Sequence, residues 1–303
     1  MADGVLIVDK PADWTSQDVC AKLRGMFHEK RIGHGGTLDP MATGVLPVFV
    51  GRATRAVEFV MEGEKEYVAG LRLGLVTNTQ DTTGEVLEQR PVSVTREELE
   101  GALERFRGDI LQVPPMYSAI KIGGKKLYEL ARKGREVERP PRKVTIHELE
   151  LLDGRRVREA APCGGPLEPD TWFLRVRCSK GTYVRTLCHD IGAALGCGGC
   201  MSSLRRTMAS GFTLAQAHPL QEVLACPDPA ALLLPVDGCF AQLPRLDLPP
   251  KGTRAVRNGQ SVPRPGLAAG EYRLYDGETG EFLALARAEQ GRLVTVKSFF
   301  AVK

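Results

Sequence analysis

The sequence predicts a mixed α/β (α+β) fold ending in a small β-rich appendage. Up to about residue 240, short apolar runs of strand length alternate with segments of helical period. Clusters of Gly, Pro, Asn, Asp and Thr punctuate them as turns. From about Pro244 onward only short strand-like runs remain. At 303 residues the chain is long enough for one large domain and a smaller one. Its 43% hydrophobic and 26% charged residues are those of an ordinary globular protein. No apolar segment suits a membrane span or a secretory leader, so the expected location is the cytoplasm, away from membranes. A net charge of +4 excludes a histone-like blanket of positive charge and leaves room for a local basic surface.

Val5 to Val8 is an opening strand closed by Asp9-Lys10-Pro11. Thr15 and Ser16 offer N-caps to a helix near Gln17 to Glu29, with Val19, Leu23 and Phe27 on one face. Gly33 to Pro40 interrupts the pattern, and its three glycines within four positions imply a loop of special backbone geometry. Pro40 biases Asp39 away from helical torsions, and Leu46 to Val50 restores a buried strand, so a carboxylate is presented on a constrained loop beside a sheet. A helix over Thr54 to Met61, a strand over Glu66 to Leu75 and a turn over Thr77 to Gly84 follow. Thr95-Arg96-Glu97-Glu98 has the form of a capping box for a helix carrying Leu99, Leu103 and Phe106.

After Val113-Pro114-Pro115 the composition turns basic, with Lys121, Lys125, Lys126, Arg132, Lys133, Arg135, Arg139, Arg142 and Lys143 outnumbering the acids. Arg158 to Asp170 is a Gly- and Pro-rich loop between two strands. Trp172 to Cys178 is a strand, turned by Lys180 to Arg185 into a helix through Ala194. In the appendage, strands are expected at Tyr272 to Tyr275, Phe282 to Ala286 and Leu293 to Val296.

The eight cysteines lack the density of a disulfide scaffold, and reduced thiols are expected. Cys197-Gly-Gly-Cys200 lacks a second ligand pair at zinc spacing, although His189 beside Cys188 keeps a cysteine-based metal or redox protein as an alternative. Asp39 is the sharpest chemical feature. Its flanking glycines admit a large ligand, and an isolated carboxylate suits covalent or electrostatic work. Tyr67 alone is a half-buried strand aromatic, and Arg185 in a first helical turn is poorly placed for the helix dipole, which hints at a carboxylate partner.

The run Gly33-His34-Gly35-Gly36-Thr37-Leu38-Asp39-Pro40-Met41-Ala42-Thr43-Gly44-Val45-Leu46-Pro47 resembles the catalytic motif of TruB-type pseudouridine synthases. Further matches keep the family order: Asp9-Lys10-Pro11, Lys65-Glu66-Tyr67, Gln112 to Lys121, Tyr128 to Arg132, Cys178 to Arg185, and Leu204-Arg205-Arg206-Thr207.

The resemblance implies a pseudouridine synthase core, a large mixed and mostly antiparallel sheet flanked by helices, over 1–240. It also implies an RNA-gripping thumb at about 116–145 and a PUA-like RNA-binding domain over 244–303. Asp39 would be the attacking carboxylate, Tyr67 would stack on the flipped uracil, and Arg185 would hold Asp39 ionised and aimed through a two-point grip. Lys10, Tyr183 and Leu204 would line the uridine pocket, His34 would stack on RNA bases, and Lys125, Lys126 and Lys133 would grip phosphates.

The implied activity is isomerisation of uridine-55 in the T arm of tRNA by a monomer that uses no cofactor, metal or obligate protein partner. A non-catalytic tRNA chaperone folding the T arm is the other alternative. Cys200 and the turn Asn78-Thr79-Gln80-Asp81 depart from the family pattern, and neither is expected to touch the Asp39, Tyr67 and Arg185 set.

Overall fold

The computed structural model describes residues 2–153 and 171–301; the loop expected at Arg158 to Asp170, with Cys163, lies outside them. Ten strands form the main sheet: β1 Gly4–Lys10, β2 Ile32–His34, β3 Thr43–Val50, β4 Lys65–Leu73, β5 Gly108–Gln112, β6 Arg142–Leu152, β7 Thr171–Cys178, β8 Gly199–Ala209, β9 Phe212–Thr213 and β10 His218–Pro219. The order along the sheet is β10-β1-β3-β8-β4-β7-β6-β5, with β2 added on β3 and β9 on β8. Only the β1–β10 and β3–β8 pairs are parallel, so the sheet is mixed and mostly antiparallel.

Strand period divides the core. Leu6 and Val8 of β1, with Leu46, Val48 and Val50 of β3, face one apolar cluster; Val5, Ile7, Val45 and Phe49 face another. The first is closed by helices α1 (Ser16–Phe27), α3 (Arg96–Leu103) and α5 (Val184–Ala194), through Val19, Leu23, Leu99, Leu103, Leu187 and Ile191. Between α1 and α3 lies the single turn α2 (Val57–Met61), and α4 (Leu127–Ala131) belongs to the basic segment. Thr15 and Thr95 both cap through reciprocal bonds with the acid three residues on.

A five-stranded sheet of residues 245–298 forms the C-terminal unit, and helix Pro250–Arg257 packs on it. Phe240 joins the two units. Its ring meets Phe59 edge-on at 5.5 Å and lies 5.8 Å from Phe299, while Arg55 of the larger unit donates to the Ser298 carbonyl at 2.8 Å.

Four expectations are adjusted. The Gly33 loop begins one strand later than predicted, because Ile32 to His34 pair with Val48 to Val50. Thr54 lies in a 3-10 turn, and the α-helix there starts only at Val57. The strand expected to reach Leu75 stops at Leu73, because Gly74 takes φ +79° and turns the chain into the Leu75–Thr77 hairpin. Finally, Ser16 is no cap; its hydroxyl serves the Asp39 loop.

Candidate active site

Asp39 sits on the loop between β2 and β3, and the loop is held from several sides. The Ser16 hydroxyl donates to the Leu38 carbonyl at 3.2 Å and accepts from the Leu38 amide at 2.9 Å. The Asp13 amide donates to the Pro40 carbonyl at 2.9 Å, and the Ala42 amide donates to the Asp39 carbonyl at 3.0 Å. With the residues on both sides tied down, the Asp39 side chain is presented half-buried, 37% exposed.

Its partner comes from α5. The first turn of this helix is fixed to β5 by Gln112, whose side chain accepts from the Tyr183 amide at 2.8 Å and donates to the Tyr183 carbonyl at 3.0 Å. Arg185, 7% exposed, places its Nε 2.9 Å from Asp39 Oδ2. Nη1 donates to the Thr79 carbonyl at 3.0 Å and Nη2 to the Tyr117 carbonyl at 2.9 Å. The grip on Asp39 is therefore single-point, not two-point as expected. The rest of the guanidinium fork ties the site to the 77–84 turn and to the root of the basic segment.

The 77–84 turn, expected to stand clear of these residues, reaches them. Asp81 is buried, and its Oδ2 lies 3.7 Å from Arg185 Nε. Its Oδ1 accepts from the Thr83 hydroxyl at 2.6 Å and amide at 3.0 Å, and from the Thr79 hydroxyl at 2.8 Å. Two carboxylates thus flank one buried guanidinium, and the second was not among the sequence-predicted residues. Its one sequence signal was an acid in the polar turn Thr79-Gln80-Asp81-Thr82-Thr83. Cys200, the other departure, is a fully buried free thiol.

Tyr67 on β4 is half-buried against the first core cluster. Burial pushes its phenol above the ordinary range, while the Arg206 cation pulls it down. Burial also raises Tyr183, against the pull of Arg185. The Asp39 charge is felt at Tyr67, Tyr183 and Lys10, so these four gather in one place. Leu204, on the same face as Tyr67, is a buried member of the first core cluster. His34 has its Nε2 3.1 Å from Gln17 Nε2; burial first, and then Arg206, lower its pKa.

Lys10 carries a different set of contacts from those of a pocket wall. It is fully buried, and its ammonium donates to the carbonyls of Pro11 at 2.8 Å, Trp14 at 2.7 Å and Pro40 at 3.2 Å. This staples the Asp39 loop to the end of β1. Burial lowers the Lys10 pKa from 10.5 to about 8, against the raising effect of Asp13 and Asp39. Below the folded value both folded and unfolded chains hold the proton, and the burial cost is fully felt. Between the two values the unfolded chain binds more protons, so this contribution to stability rises with pH. Wild type should gain up to about 3 kcal/mol relative to Lys10→Met across that window, from the size of the shift. Urea unfolding of both proteins across the window checks it; a pH-independent difference would refute the assignment.

Of the basic residues, Lys121, Lys125 and Lys126 lie on a two-stranded hairpin followed by α4, while Arg142 and Lys143 open β6 of the main sheet. Lys125 and Lys133 are exposed. Lys126 is half-buried over the Tyr128 ring, 5.4 Å from its centroid, and donates to the Tyr128 hydroxyl at 3.3 Å. Cys197 and Cys200 are buried free thiols, and burial pushes Cys200 up to about 11, so Cys200 presents no ready thiolate. Among the described residues no three His, Cys, Asp or Glu side chains are grouped to hold a metal ion, and no helix is long and apolar enough to cross a membrane.

Comparison with known proteins gives the family. The profile described as "TruB family pseudouridylate synthase (N terminal domain)" matches residues 24–184. "tRNA pseudouridylate synthase B C-terminal domain" matches 185–241, and "Pseudouridine synthase II TruB, C-terminal" matches 244–296. The tRNA pseudouridine synthase B of Azoarcus sp. (strain BH72) is 44% identical over 295 residues, 97% of this chain and 93% of that protein. That of Ralstonia pickettii (strain 12J) is 47% identical over 262 residues, 86% and 80% of the two chains. Among solved structures, a chain of a Cbf5-Nop10-Gar1 complex superposes with a TM-score of 0.72 at 26% identity, covering 99% of this chain and 85% of that one. With its glycine-framed Asp39 held by Arg185 and 97% of its length matched by such a relative, the chain belongs to the TruB family of pseudouridine synthases.

Proposed function

We propose that this protein isomerises uridine to pseudouridine in tRNA, at position 55 of the T loop. The observation that carries the chemistry is the half-buried Asp39 carboxylate held by a buried arginine on a loop clamped from both sides. The reaction breaks the N1–C1′ bond and rejoins the base through C5. Every atom of the uridine is retained, so an aimed carboxylate and a place to turn the base are the main requirements. In this reading Asp39 attacks the nucleotide, Tyr67 stacks on the extruded base, and Tyr183 and Leu204 shape the pocket floor. Arg185 aims Asp39, Lys10 holds the loop, and His34 meets the bases beside the target.

Extruding the base costs roughly a few kcal/mol, offset by stacking and pocket contacts. The enzyme works as a cytoplasmic monomer, because one chain supplies the whole set. The catalytic part spans 1–240 with the RNA-gripping thumb at about 116–145, and the RNA-binding C-terminal domain spans 244–303.

The decisive test is to incubate the protein with an unmodified T-arm hairpin and map pseudouridine at single-nucleotide resolution. Product at the T-loop uridine is expected; product elsewhere, or none, would overturn the assignment. Binding without product would favour the chaperone alternative.

The thumb makes a separate prediction. Charge reversal at Lys125 or Lys133 should weaken tRNA binding and remove about 0.7 to 0.9 from the log–log salt slope for each lost phosphate contact. Lys126→Glu should change the slope less, since its ammonium is partly engaged by Tyr128. Binding measured at several salt concentrations reads this directly, and unchanged slopes for Lys125 and Lys133 would leave the segment a solvated face.

A further inference from the structure

Arg206 is 1% exposed, and among the described residues it forms no ion pair. A buried guanidinium without a carboxylate must be satisfied by dipoles, and here they come from the Asp39 loop. Nε donates to the Val45 carbonyl at 2.7 Å, Nη2 to Gly36 at 3.0 Å and Nη1 to Thr37 at 3.3 Å. Its backbone is equally engaged. On β8 it lies opposite Tyr67 of β4 on one side and Gly44 of β3 on the other. Gly44 has φ +103°, and a Cβ there would stand 2.2 Å from the Arg206 carbonyl oxygen, so the seam admits only glycine. One residue therefore pins the loop where it leaves β2, through Gly36 and Thr37, and where it enters β3, through Gly44 and Val45. Asp39 lies between.

A neutral side chain could bridge carbonyls to a strand. What the cation adds is a field in the pocket, which acts on Tyr67, His34 and Lys10. We propose that Arg206 is a positioning residue of the reaction, fixing the separation and orientation of Asp39 and Tyr67 by gripping the Asp39 loop at both ends from the strand position facing Tyr67. This rests on the activity proposed above and extends it to a residue that touches neither the base nor the attacking oxygen.

The full-length Arg206→Lys and Arg206→Gln proteins test it against wild type in four measurements: thermal unfolding, affinity for unmodified tRNA, single-turnover rate, and amide exchange over residues 36–42. A displacement of about 1 Å in a catalytic group costs roughly 10²-fold in rate. We expect a single-turnover loss of that order in Arg206→Lys, with tRNA affinity within about threefold of wild type. Exchange over 36–42 should quicken about tenfold while the α1 amides keep their protection. Combined with Tyr67→Phe, the loss should be smaller than the product of the single losses, because both changes disturb one arrangement.

A wild-type rate in both variants, unchanged loop exchange, or multiplicative losses would each overturn the role. So would failure of both variants to fold, which would make Arg206 a stability residue. If wild type itself forms no pseudouridine, the activity proposal fails, while the exchange measurement still decides whether Arg206 holds the loop.

Discussion

Asp39→Asn should lower single-turnover product formation by roughly 10⁴-fold or more, the scale for removing a nucleophile from an otherwise intact site. The amide is isosteric, so the loop contacts through Leu38, Pro40 and Ala42, all made by backbone atoms, survive the change. What is lost is the anion. Affinity for unmodified tRNA should stay within about tenfold of wild type, because in the proposed reading the phosphate contacts lie on the basic segment, away from Asp39. Asparagine can deamidate back to aspartate, so the protein must be assayed fresh with its mass verified. Product formed at a substantial fraction of the wild-type rate by verified mutant would remove Asp39 from the attacking role.

The next largest effect is expected at Arg185. Arg185→Met removes the charged partner 2.9 Å from Asp39 and the bonds to the Thr79 and Tyr117 carbonyls. It also leaves Asp39 and Asp81 facing each other without the cation between them. Removing one member of a buried charge pair commonly costs about 3–5 kcal/mol; with Asp39 partly open to solvent, a smaller share should reach the reaction. A rate loss of roughly 10²- to 10³-fold is expected.

Arg185→Lys should recover only part of it. A single ammonium can meet Asp39 or the carbonyls, whereas the guanidinium fork reaches three partners in different directions. Asp81→Asn in the Arg185→Met background separates the components: relieving the repulsion should restore some activity. Should Arg185→Met keep the wild-type rate, the residue would be a packing element of the helix start and no part of the site.

Much of this protein was legible in its residues. The glycine-framed Asp39-Pro40, the capping signals at Thr15 and Thr95, and the apolar periods of β1, β3, α1 and α3 are local statements, made by backbone torsion and by burial at fixed spacing. They fixed the mixed α/β class, the presented carboxylate and the β-rich C-terminal unit. Local signals also placed the basic segment after Pro115, since charge composition requires no knowledge of neighbours.

Tertiary structure decided who meets whom. Arg185 is 146 positions from Asp39, and whether its fork would grip one carboxylate twice or three partners once depends on where the 77–84 turn and Tyr117 fall. Asp81 looked like an ordinary turn acid until the fold laid its second oxygen beside that arginine. Lys10 and Arg206 illustrate the same limit. A strand-end lysine and an arginine in a strand are usually solvated, and only the pairing of β1, β3, β4 and β8 buries both and turns their donors onto the carbonyls around Asp39. Hydrogen bonds to carbonyls carry no sequence code, because every residue has one. The sequence alone therefore determined the fold class and the presented carboxylate, while the scaffold that holds that carboxylate was set by strand order and register.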